Sequence, residues 1–380
     1  MSTGAQLRPT WVEVDLGAVR ANVAELARLA APAVVLAVVK ADGYGHGAVP
    51  VARAALAAGA QWLGVALVEE GVALREAGID APILVLSEPA PDAAAAVVEH
   101  RLTAVVYTAP GIDALAKAVA DAGTATPLPV HLKVDTGMHR VGCLPDEAPA
   151  LAARVREHAQ LRLEGVLTHL AIADEPEDPY TDEQLARFGA VLDVLRAAGI
   201  DPPIVHAASS AGLLAFPASH FTLVRPGIAL YGVAPAPTLA SAARLRPALA
   251  FKARVSYVKR LAAGARLSYG LRYRLDHDAC IATVPVGYAD GVPRNLAEVG
   301  GEVLVGGRRR RIAGTVTMDQ IVVDVGDDSV EVGDEVVLIG AQGDERVTAE
   351  EWAERLGTIA YEIVCGIGPR VPRVHVDGDG

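Results

Sequence analysis

The sequence has 380 residues, of which 52% are hydrophobic and 21% are charged, so it is long enough for two or three domains and apolar enough to bury a core. This composition excludes wholesale disorder and fibrous repeats. The formal net charge of -12 disfavours nucleic acid as a partner, because the average surface repels phosphate. The one basic run, Arg308–Arg311, is typical of a solvated strand.

Cysteine usage and the absence of targeting signals predict a cytoplasmic protein. Cys143, Cys280 and Cys365 are few and widely spaced, which fits a reducing compartment and gives no zinc-type cluster, so we expect no metal. The N-terminus has no apolar segment behind a basic start. The longest apolar stretch, 29–39, is much shorter than the roughly 20 residues that span a bilayer, and we expect no membrane partner.

The first two thirds of the chain alternate branched apolar runs with Ala/Leu-rich segments that carry charges at helical spacing. Strands are predicted at Val34–Val39, Trp62–Leu67, Ile83–Leu86, Leu102–Tyr107, Val130–Val134, Leu163–Thr168, Ile204–His206 and Phe221–Val224. Helices are predicted between them, at Ala48–Ala58, Asp92–His100, Ile112–Ala122, Glu147–Ala159 and Asp182–Ala198. Eight such units predict an α/β fold, a (β/α)8 TIM barrel over residues 12–240.

After the linker-like segment Ala234–Ala242, alternating strands are separated by Gly-rich turns. These strands are predicted at Glu302–Val305, Arg309–Ala313, Ile321–Val325 and Glu335–Ile339. Gly306-Gly307 is a hairpin signal, and Glu350–Leu356 resembles one short helix. We therefore predict a C-terminal, mainly β domain over residues 241–380, joined by the N-terminal residues 1–11.

Polar side chains stand at the predicted carboxyl ends of the barrel strands, where barrels of this kind hold their active sites. They follow strands one, five, six, seven and eight, and they include Lys40, Lys133, Arg140, His169, His206, Ser209, Ser210, Arg225 and Gly227. Convergence of so many polar groups at one end predicts an enzyme active site at that end.

Lys40 follows a long apolar run and precedes a glycine-rich turn. A lysine in an apolar surround can have its pKa lowered enough to form a Schiff base with a carbonyl, which favours pyridoxal 5′-phosphate as the cofactor. Ser210 and Gly227 fall in the loops after strands seven and eight, where barrels commonly bind phosphate. Arg225 is placed to face the pyridine nitrogen of the cofactor.

Eight ordered sequence blocks, spread over nearly the whole chain, resemble alanine racemase. They are AVVKADGYGHG (37–47), HLKVDTGMHRVG (131–142), HAASSAG (206–212), VRPGIALYG (224–232), LSYG (267–270), VGYADGVPR (286–294), MDQ (318–320) and YEIVCGIGPRVPR (361–373). The resemblance implies an isomerase that interconverts L- and D-alanine with pyridoxal phosphate. It also implies a homodimer whose active sites combine both chains, and a supply of D-alanine for the cell wall if the host is a bacterium.

The same resemblance implies roles for individual residues. Lys40 would carry the cofactor, and Arg225 would face its ring nitrogen, with His169 near the ring. Arg140 would approach the phenolic oxygen of the cofactor or the substrate carboxylate, and Lys133 matches a position that is often carbamylated. The phosphate would be surrounded by Tyr44, Ser210, Gly227, Ile228 and Tyr361, with Ser209 nearby, whereas Tyr269, Tyr288 and Met318 would come from the partner chain.

Racemisation needs two acid–base groups on opposite faces of a planar carbon. Lys40 can serve one face, and we expect the partner's Tyr269 to serve the other. A chain of hydrogen bonds through His169 toward Arg225 would favour the phenolate of this tyrosine. Because Arg225 stays charged, it disfavours protonation of the pyridine nitrogen, and little transamination is expected.

Two positions depart from the family pattern: Ser209 stands where Asn is usual, and Thr317 where Cys is common. Three alternatives stay open. A racemase of broader specificity is one, because a hydrophobic pocket rejects the added hydroxyl of serine only by about 100-fold. A barrel-type decarboxylase is another, although the sequence around Cys365 lacks a convincing counterpart of the cysteine and acidic residues that such decarboxylases carry in the second domain. The third is a non-catalytic pyridoxal-phosphate-binding protein, which typically lacks a second domain with a residue such as Tyr269.

Overall fold

A computed structural model describes residues 7–378, and the chain folds into two compact units. The first unit comprises Ala18–Gly43 and Ala48–Arg246. The second is built from three segments: the chain up to Gly17, Tyr44–Gly47 and the chain from Pro247. The first six residues of the predicted 1–11 segment lie outside the described residues. Within residues 7–378, no helix is long and apolar enough to cross a membrane.

Eight parallel strands form a barrel in the first unit, which confirms the predicted (β/α)8 fold. In chain order the strands are Val34–Val38, Trp62–Val65, Ile83–Val85, Thr103–Val106, Leu128–Lys133, Leu161–Leu167, Ile204–His206 and Leu223–Val224. The first seven strands pair each with the next in sequence, and the eighth pairs with the first. Hydrogen bonds from Thr222 N to Val205 O (3.1 Å) and from Arg225 N to Ala208 O (2.9 Å) link the eighth strand to the seventh.

Helices connect the barrel strands and cover their outer face. They are Leu16–Ala30, Ala48–Ala57, Val68–Glu76, Ala94–Glu99, Ala109–Ala122, Ala148–Glu157, Tyr180–Ala197 and Ser210–Ala215. The helix predicted at Ile112 begins three residues earlier, because Thr108 Oγ1 accepts a hydrogen bond from Gly111 N at 3.0 Å and Pro110 suits the first turn. Short 3₁₀ helices lie at Pro91–Ala93, Pro217–Ser219, Ile228–Tyr231 and Pro237–Leu239.

The second unit is mainly β, as predicted. Its strands are Thr10–Asp15, Leu249–Arg254, Tyr257–Leu261, Arg266–Leu267, Tyr273–Arg274, Ala279–Val284, Glu302–Val305, Arg308–Arg311, Ile321–Gly326, Glu335–Gln342, Glu345–Val347 and Arg373–Val376. Its helices are Ala349–Leu356 and Ala360–Cys365, with 3₁₀ helices at Tyr269–Leu271 and Tyr288–Asp290. The predicted hairpin is present: Gly306 and Gly307 have φ of 60° and 73°, which a tight hairpin turn requires.

Strand pairing differs from the predicted division at residues 12 and 240. The strand Thr10–Asp15 pairs with Leu249–Arg254 and with Arg373–Val376, both in the second unit. At the other boundary the chain stays with the barrel through Arg246, because the buried Asn22 side chain binds Arg246 N at 2.7 Å and Arg246 O at 2.8 Å. Both differences arise from partners more than 200 residues away, which periodicity does not reveal.

Candidate active site

Lys40 lies directly after the first barrel strand, at the start of a left-handed turn. The backbone of Ala41–Gly43 has φ between 51° and 62°, a conformation that costs a residue other than glycine roughly 1–2 kcal/mol. Asp42 Oδ1 accepts a hydrogen bond from Ala48 N at 2.8 Å, which ties the turn to the helix that follows. The turn therefore holds Lys40, half-buried, at the carboxyl end of the barrel.

Arg225 makes several buried hydrogen bonds at this end of the barrel. It is 5% exposed and donates through Nη2 to Thr168 O (3.0 Å) and Ala207 O (2.9 Å). Its nitrogens also meet His206 Nδ1 at 3.0 Å and His169 Nδ1 at 3.2 Å. Burial lowers the pKa of Arg225 to about 10, so it stays protonated at neutral pH. Because a guanidinium only donates, both histidine Nδ1 atoms must accept.

This constraint sets the tautomers of two buried histidines further inside the barrel. Burial lowers the pKa of His206 and of His131, so both rings are neutral. His206 therefore carries its proton on Nε2, which lies 2.8 Å from His131 Nδ1. His131 then carries its own proton on Nε2, which faces Glu164 Oε2 at 3.5 Å. Arg225 thus donates to His206 and His206 donates to His131, whose remaining N–H faces the carboxylate of Glu164.

His169 branches from Arg225 in the other direction. Burial lowers its pKa well below the ordinary value, and the positive charges of Arg225 and Lys133 add to the effect. The ring is neutral with Nδ1 accepting from Arg225, so its Nε2–H is a donor for another group.

Lys133 and Arg140 lie beside His169 and line the same pocket. Lys133 ends the fifth barrel strand and is 7% exposed. Its burial lowers its pKa to about 8, and the charges of Arg225 and Arg140 contribute. A fraction of the Lys133 amine is therefore uncharged near neutral pH, which is the form that can react with carbon dioxide.

Two adjacent loops bring a hydroxyl and backbone amides together after strands seven and eight. The buried Ser210 Oγ accepts from Gly227 N at 2.9 Å and from Ala229 N at 3.3 Å. Ile228 is buried between these two amides, and Ser209 is half-buried just before Ser210. Because Ser210 Oγ accepts these two hydrogen bonds, its own O–H is left to donate, and a small hydroxyl donor of this kind suits a phosphate group.

In the second unit, Tyr44 and Tyr361 form an aromatic pair. Their ring centroids are 6.2 Å apart, at an interplanar angle of 50°. Burial raises the pKa of the Tyr44 phenol, and the neighbouring Tyr361 adds to this. Tyr44 therefore keeps its proton and remains a hydrogen-bond donor at neutral pH.

Tyr269 combines an exposed ring with a fixed backbone. The residue is 74% exposed. Thr315 Oγ1 donates to Tyr269 O at 2.8 Å, and Ser268 Oγ donates to Thr315 O at 2.6 Å. A Cβ at Gly314 would lie 2.8 Å from the Ser268 Cβ, so only glycine fits there. The loop presents the phenol outward from a rigid support.

Tyr288 and Met318 lie on two bonded loops of the second unit and are 41% and 52% exposed. Tyr288 N donates to Thr317 O at 2.9 Å. Asp290, which is fully buried, accepts from Gly287 N at 3.0 Å and from both Nη atoms of Arg8. The loop that carries Tyr288 is thus held by a buried carboxylate.

The structure thus groups the predicted residues in two sets. The barrel brings together the first set, which is Lys40, Lys133, Arg140, His169, Ser209, Ser210, Arg225, Gly227 and Ile228. The second unit holds the Tyr44–Tyr361 pair, the loops of Tyr288 and Met318, and Tyr269. Within the described part of the chain, no cluster of three or more His, Cys, Asp or Glu side chains could hold a metal ion.

The sequence prediction did not include two carboxylates that bear on this site. Glu164 lies in the sixth barrel strand, at the far end of the histidine chain. Glu70, at the start of the helix Val68–Glu76, contacts the turn that follows Lys40. Glu70 had one sequence signal, because a glutamate three residues after the start of a helix is typical of a helix cap. Glu164 had none.

Comparison with known proteins gives one consistent family. Residues 14–235 match the family described as alanine racemase, N-terminal domain, and residues 248–375 match the alanine racemase C-terminal domain. Alanine racemase from Symbiobacterium thermophilum is 53% identical over 370 residues, covering 97% of both chains. The one from Thermobifida fusca is 47% identical over 382 residues, covering 99% of both chains.

Solved structures agree with this. The alanine racemase of D-cycloserine-producing Streptomyces lavendulae is 43% identical, has a TM-score of 0.92 and is matched over 98% of both chains. That of E. faecalis is 40% identical, has a TM-score of 0.93 and is matched over 99% of this chain and 100% of that one.

Proposed function

Since the chain belongs to the alanine racemase family and is thus an amino-acid racemase, we propose that it interconverts L- and D-alanine, with pyridoxal 5′-phosphate as its cofactor. One observation carries this proposal: the half-buried Lys40 shares one end of the barrel with Arg225, whose histidine contacts hold it as a fixed donor. A lysine amine can bond the carbonyl carbon of this cofactor, and a donor-only arginine can bind its unprotonated pyridine nitrogen.

The barrel residues fit the cofactor by the chemistry of their donors. Lys40 offers an amine for its carbonyl, and Ser210, whose Oγ accepts from the amide of Gly227, offers its hydroxyl as a small donor for its phosphate. Arg225 offers an N–H to the pyridine nitrogen, which would stay unprotonated because arginine keeps its own proton. When bound, pyridoxal phosphate supplies the electron-withdrawing system that makes the α-proton of an amino acid acidic.

Two bases on opposite faces of the substrate α-carbon complete the proposal. The amine of Lys40 takes or returns the proton on one face, and the partner's Tyr269 acts on the other. Exposure of 74% in its own chain supports a role for this ring in a second chain's site. The free Nε2–H of His169 supports the phenolate, because a donated hydrogen bond favours the charged form.

The remaining residues position the cofactor and substrate in this proposal. Tyr44 and Tyr361, with Ser209 and Ile228, complete the phosphate side. Arg140 binds the substrate carboxylate, and a carbamate on Lys133 orients it. The lowered pKa of Lys133 supports this, because the uncharged amine is the reactive form. Tyr288 and Met318, contributed by the partner chain, restrict the pocket to a small side chain.

The homodimer with shared sites, the cytoplasmic location and the supply of D-alanine for the cell wall are the biological part of the proposal, and they derive from the family. The catalytic part is tested in deuterated water, where L-alanine must lose its optical activity and gain deuterium at the α-carbon. Serine in a parallel assay measures specificity. A Lys40→Ala variant that racemises alanine at the wild-type rate would overturn the proposal.

A further inference from the structure

Glu70 binds the backbone amide that directly follows Lys40. Its Oε1 accepts from Ala41 N at 2.6 Å. Its Oε2 accepts from Ala66 N at 2.7 Å and from Leu67 N at 3.1 Å. One half-buried carboxylate therefore links the loop after the first barrel strand to the loop after the second.

The bond to Ala41 acts on the conformation of Lys40 itself. The N–H of Ala41 belongs to the peptide unit that joins it to Lys40, so fixing this N–H fixes the ψ angle of Lys40. The turn that begins there is left-handed at Ala41 and Asp42, with φ of 51° and 52°. Residues other than glycine rarely adopt this left-handed conformation, because it crowds their Cβ atom. The Glu70 bond adds to two others that hold the turn, from Gly43 N to Val39 O at 2.8 Å and from Ala48 N to Asp42 Oδ1 at 2.8 Å, and it acts directly on the peptide that follows Lys40.

Helix capping alone does not explain this arrangement. A glutamate at the third helical position ordinarily binds back to the residue before the helix, which is Leu67 here. The contacts with Ala66 and Ala41 go beyond that pattern, and Ala41 belongs to a different loop. All three partners are backbone N–H donors, and a carboxylate can accept from all of them.

We infer that Glu70 is a positioning residue for Lys40: by holding the peptide between Lys40 and Ala41, it sets the direction from which the lysine amine reaches its carbonyl. This inference rests on the proposed function, in which Lys40 carries pyridoxal phosphate. Glu70 acts only through the backbone and is not itself a catalytic residue.

The test compares Glu70→Gln with Glu69→Gln, a change of the same chemistry at the adjacent, exposed position of the same helix. In Glu70→Gln the amide nitrogen must face either Ala41 N–H or the N–H groups of Ala66 and Leu67, so one side loses its acceptor. Each purified holoprotein is reduced with borohydride over a range of pH, digested, and the pyridoxyl group on Lys40 is quantified by mass spectrometry. Thermal unfolding of each variant is recorded alongside.

Glu70→Gln is expected to lower the fraction of Lys40 that carries cofactor, and to lower kcat in both directions by about tenfold, the lower end expected for a charge-assisted hydrogen bond. KM stays near the wild-type value, the pH profile of attachment shifts, and Glu69→Gln behaves as the wild type. A Glu70→Gln protein that loses thermal stability but keeps the wild-type kcat, attached fraction and pH profile would show that Glu70 is only a helix cap and would overturn the inference.

Acetic anhydride labelling of unreduced samples reports the reactivity of the Lys40 amine in the molecules that carry no cofactor. If wild-type Lys40 carries no pyridoxal phosphate, the proposed function fails, and the labelling still decides the role of Glu70. A changed labelling profile in Glu70→Gln alone supports the positioning role. Identical profiles in both variants and in the wild type contradict it.

Discussion

Arg225 Nη1 lies 3.0 Å from His206 Nδ1, and this contact between a group that only donates and a neutral ring sets the direction of the whole buried hydrogen-bond chain. Arg225 cannot accept, so His206 must, and His131 must in turn accept from His206. The guanidinium is thereby held in place by acceptors and is directed as a donor at the carboxyl end of the barrel.

Removal of the His206 imidazole, which lies between Arg225 and His131 in this series of hydrogen bonds, should destabilise the protein. His206→Ala leaves Arg225 Nη1 and His131 Nδ1 buried without this partner, and each unsatisfied buried group costs about 1–3 kcal/mol. We expect the free energy of unfolding, measured with urea, to fall by about 3 kcal/mol or more. His277→Ala, at an exposed position of the second unit, is the control and should change it by less than about 0.5 kcal/mol.

The buried histidines should make stability depend on pH. Burial lowers the pKa values of His131, His169 and His206 in the folded state, whereas in the unfolded chain they titrate near 6.5. Below that pH the unfolded state binds more protons than the folded state, so this stability is present above about pH 6.5 and is lost as the pH falls.

Urea unfolding at pH 7.5 and pH 5.5 measures this loss, which is at most about 1.4 kcal/mol per pH unit for each histidine. A His206→Gln protein has one fewer such group and should show a shallower dependence. An equally steep dependence in that variant would mean that other groups, such as carboxylates, are responsible.

Lys133 should react as an amine at an unusually low pH. Its pKa of about 8, caused mainly by burial, predicts that labelling by an amine reagent rises around pH 8. The exposed Lys259 serves as the comparison within the same digest. Bicarbonate should protect Lys133 and leave Lys259 unprotected, because a carbamate consumes the uncharged amine. Labelling of the two lysines in parallel at every pH would contradict the prediction.

Replacement of Arg225 by an acidic residue should change what the cofactor does. In Arg225→Glu, a carboxylate facing the pyridine nitrogen favours its protonation, which strengthens the ring as an electron sink. Pyridoxamine phosphate should then accumulate per turnover well above the wild-type amount, as measured by chromatography after prolonged reaction. Arg225→Lys, which keeps the positive charge, should not show this increase, and an equal rise in both variants would indicate loss of packing alone.

The barrel could be predicted because its strands are covered on both faces and therefore appear as continuous branched apolar runs, such as Thr103–Val106. The strand Thr10–Asp15 was not predicted, since it is defined by partners at the opposite end of the chain. Lys40 and Arg225 could be predicted as site residues because each directly follows a predicted barrel strand, at the end where barrels hold their active sites.

The supporting carboxylates could not be predicted in the same way. Glu164 lies in the middle of a strand sequence, and its relation to Arg225 depends on two histidines that enter the barrel interior from different strands. Glu70 has the sequence signature of a helix cap, and only the fold brings its second oxygen to Ala41.

Subunit complementation tests most directly whether Lys40 and the partner's Tyr269 share one site. Lys40→Ala and Tyr269→Phe chains are co-expressed with different affinity tags, and the mixed dimer is isolated by purification on both tags. Each variant alone should be inactive in both directions of racemisation, because the two enantiomers have equal free energy and a loss in one direction is a loss in the other. The mixed dimer contains one site with both native groups and should recover about half of the wild-type activity per dimer. A mixed dimer no more active than its parents would show that the two groups do not meet across chains.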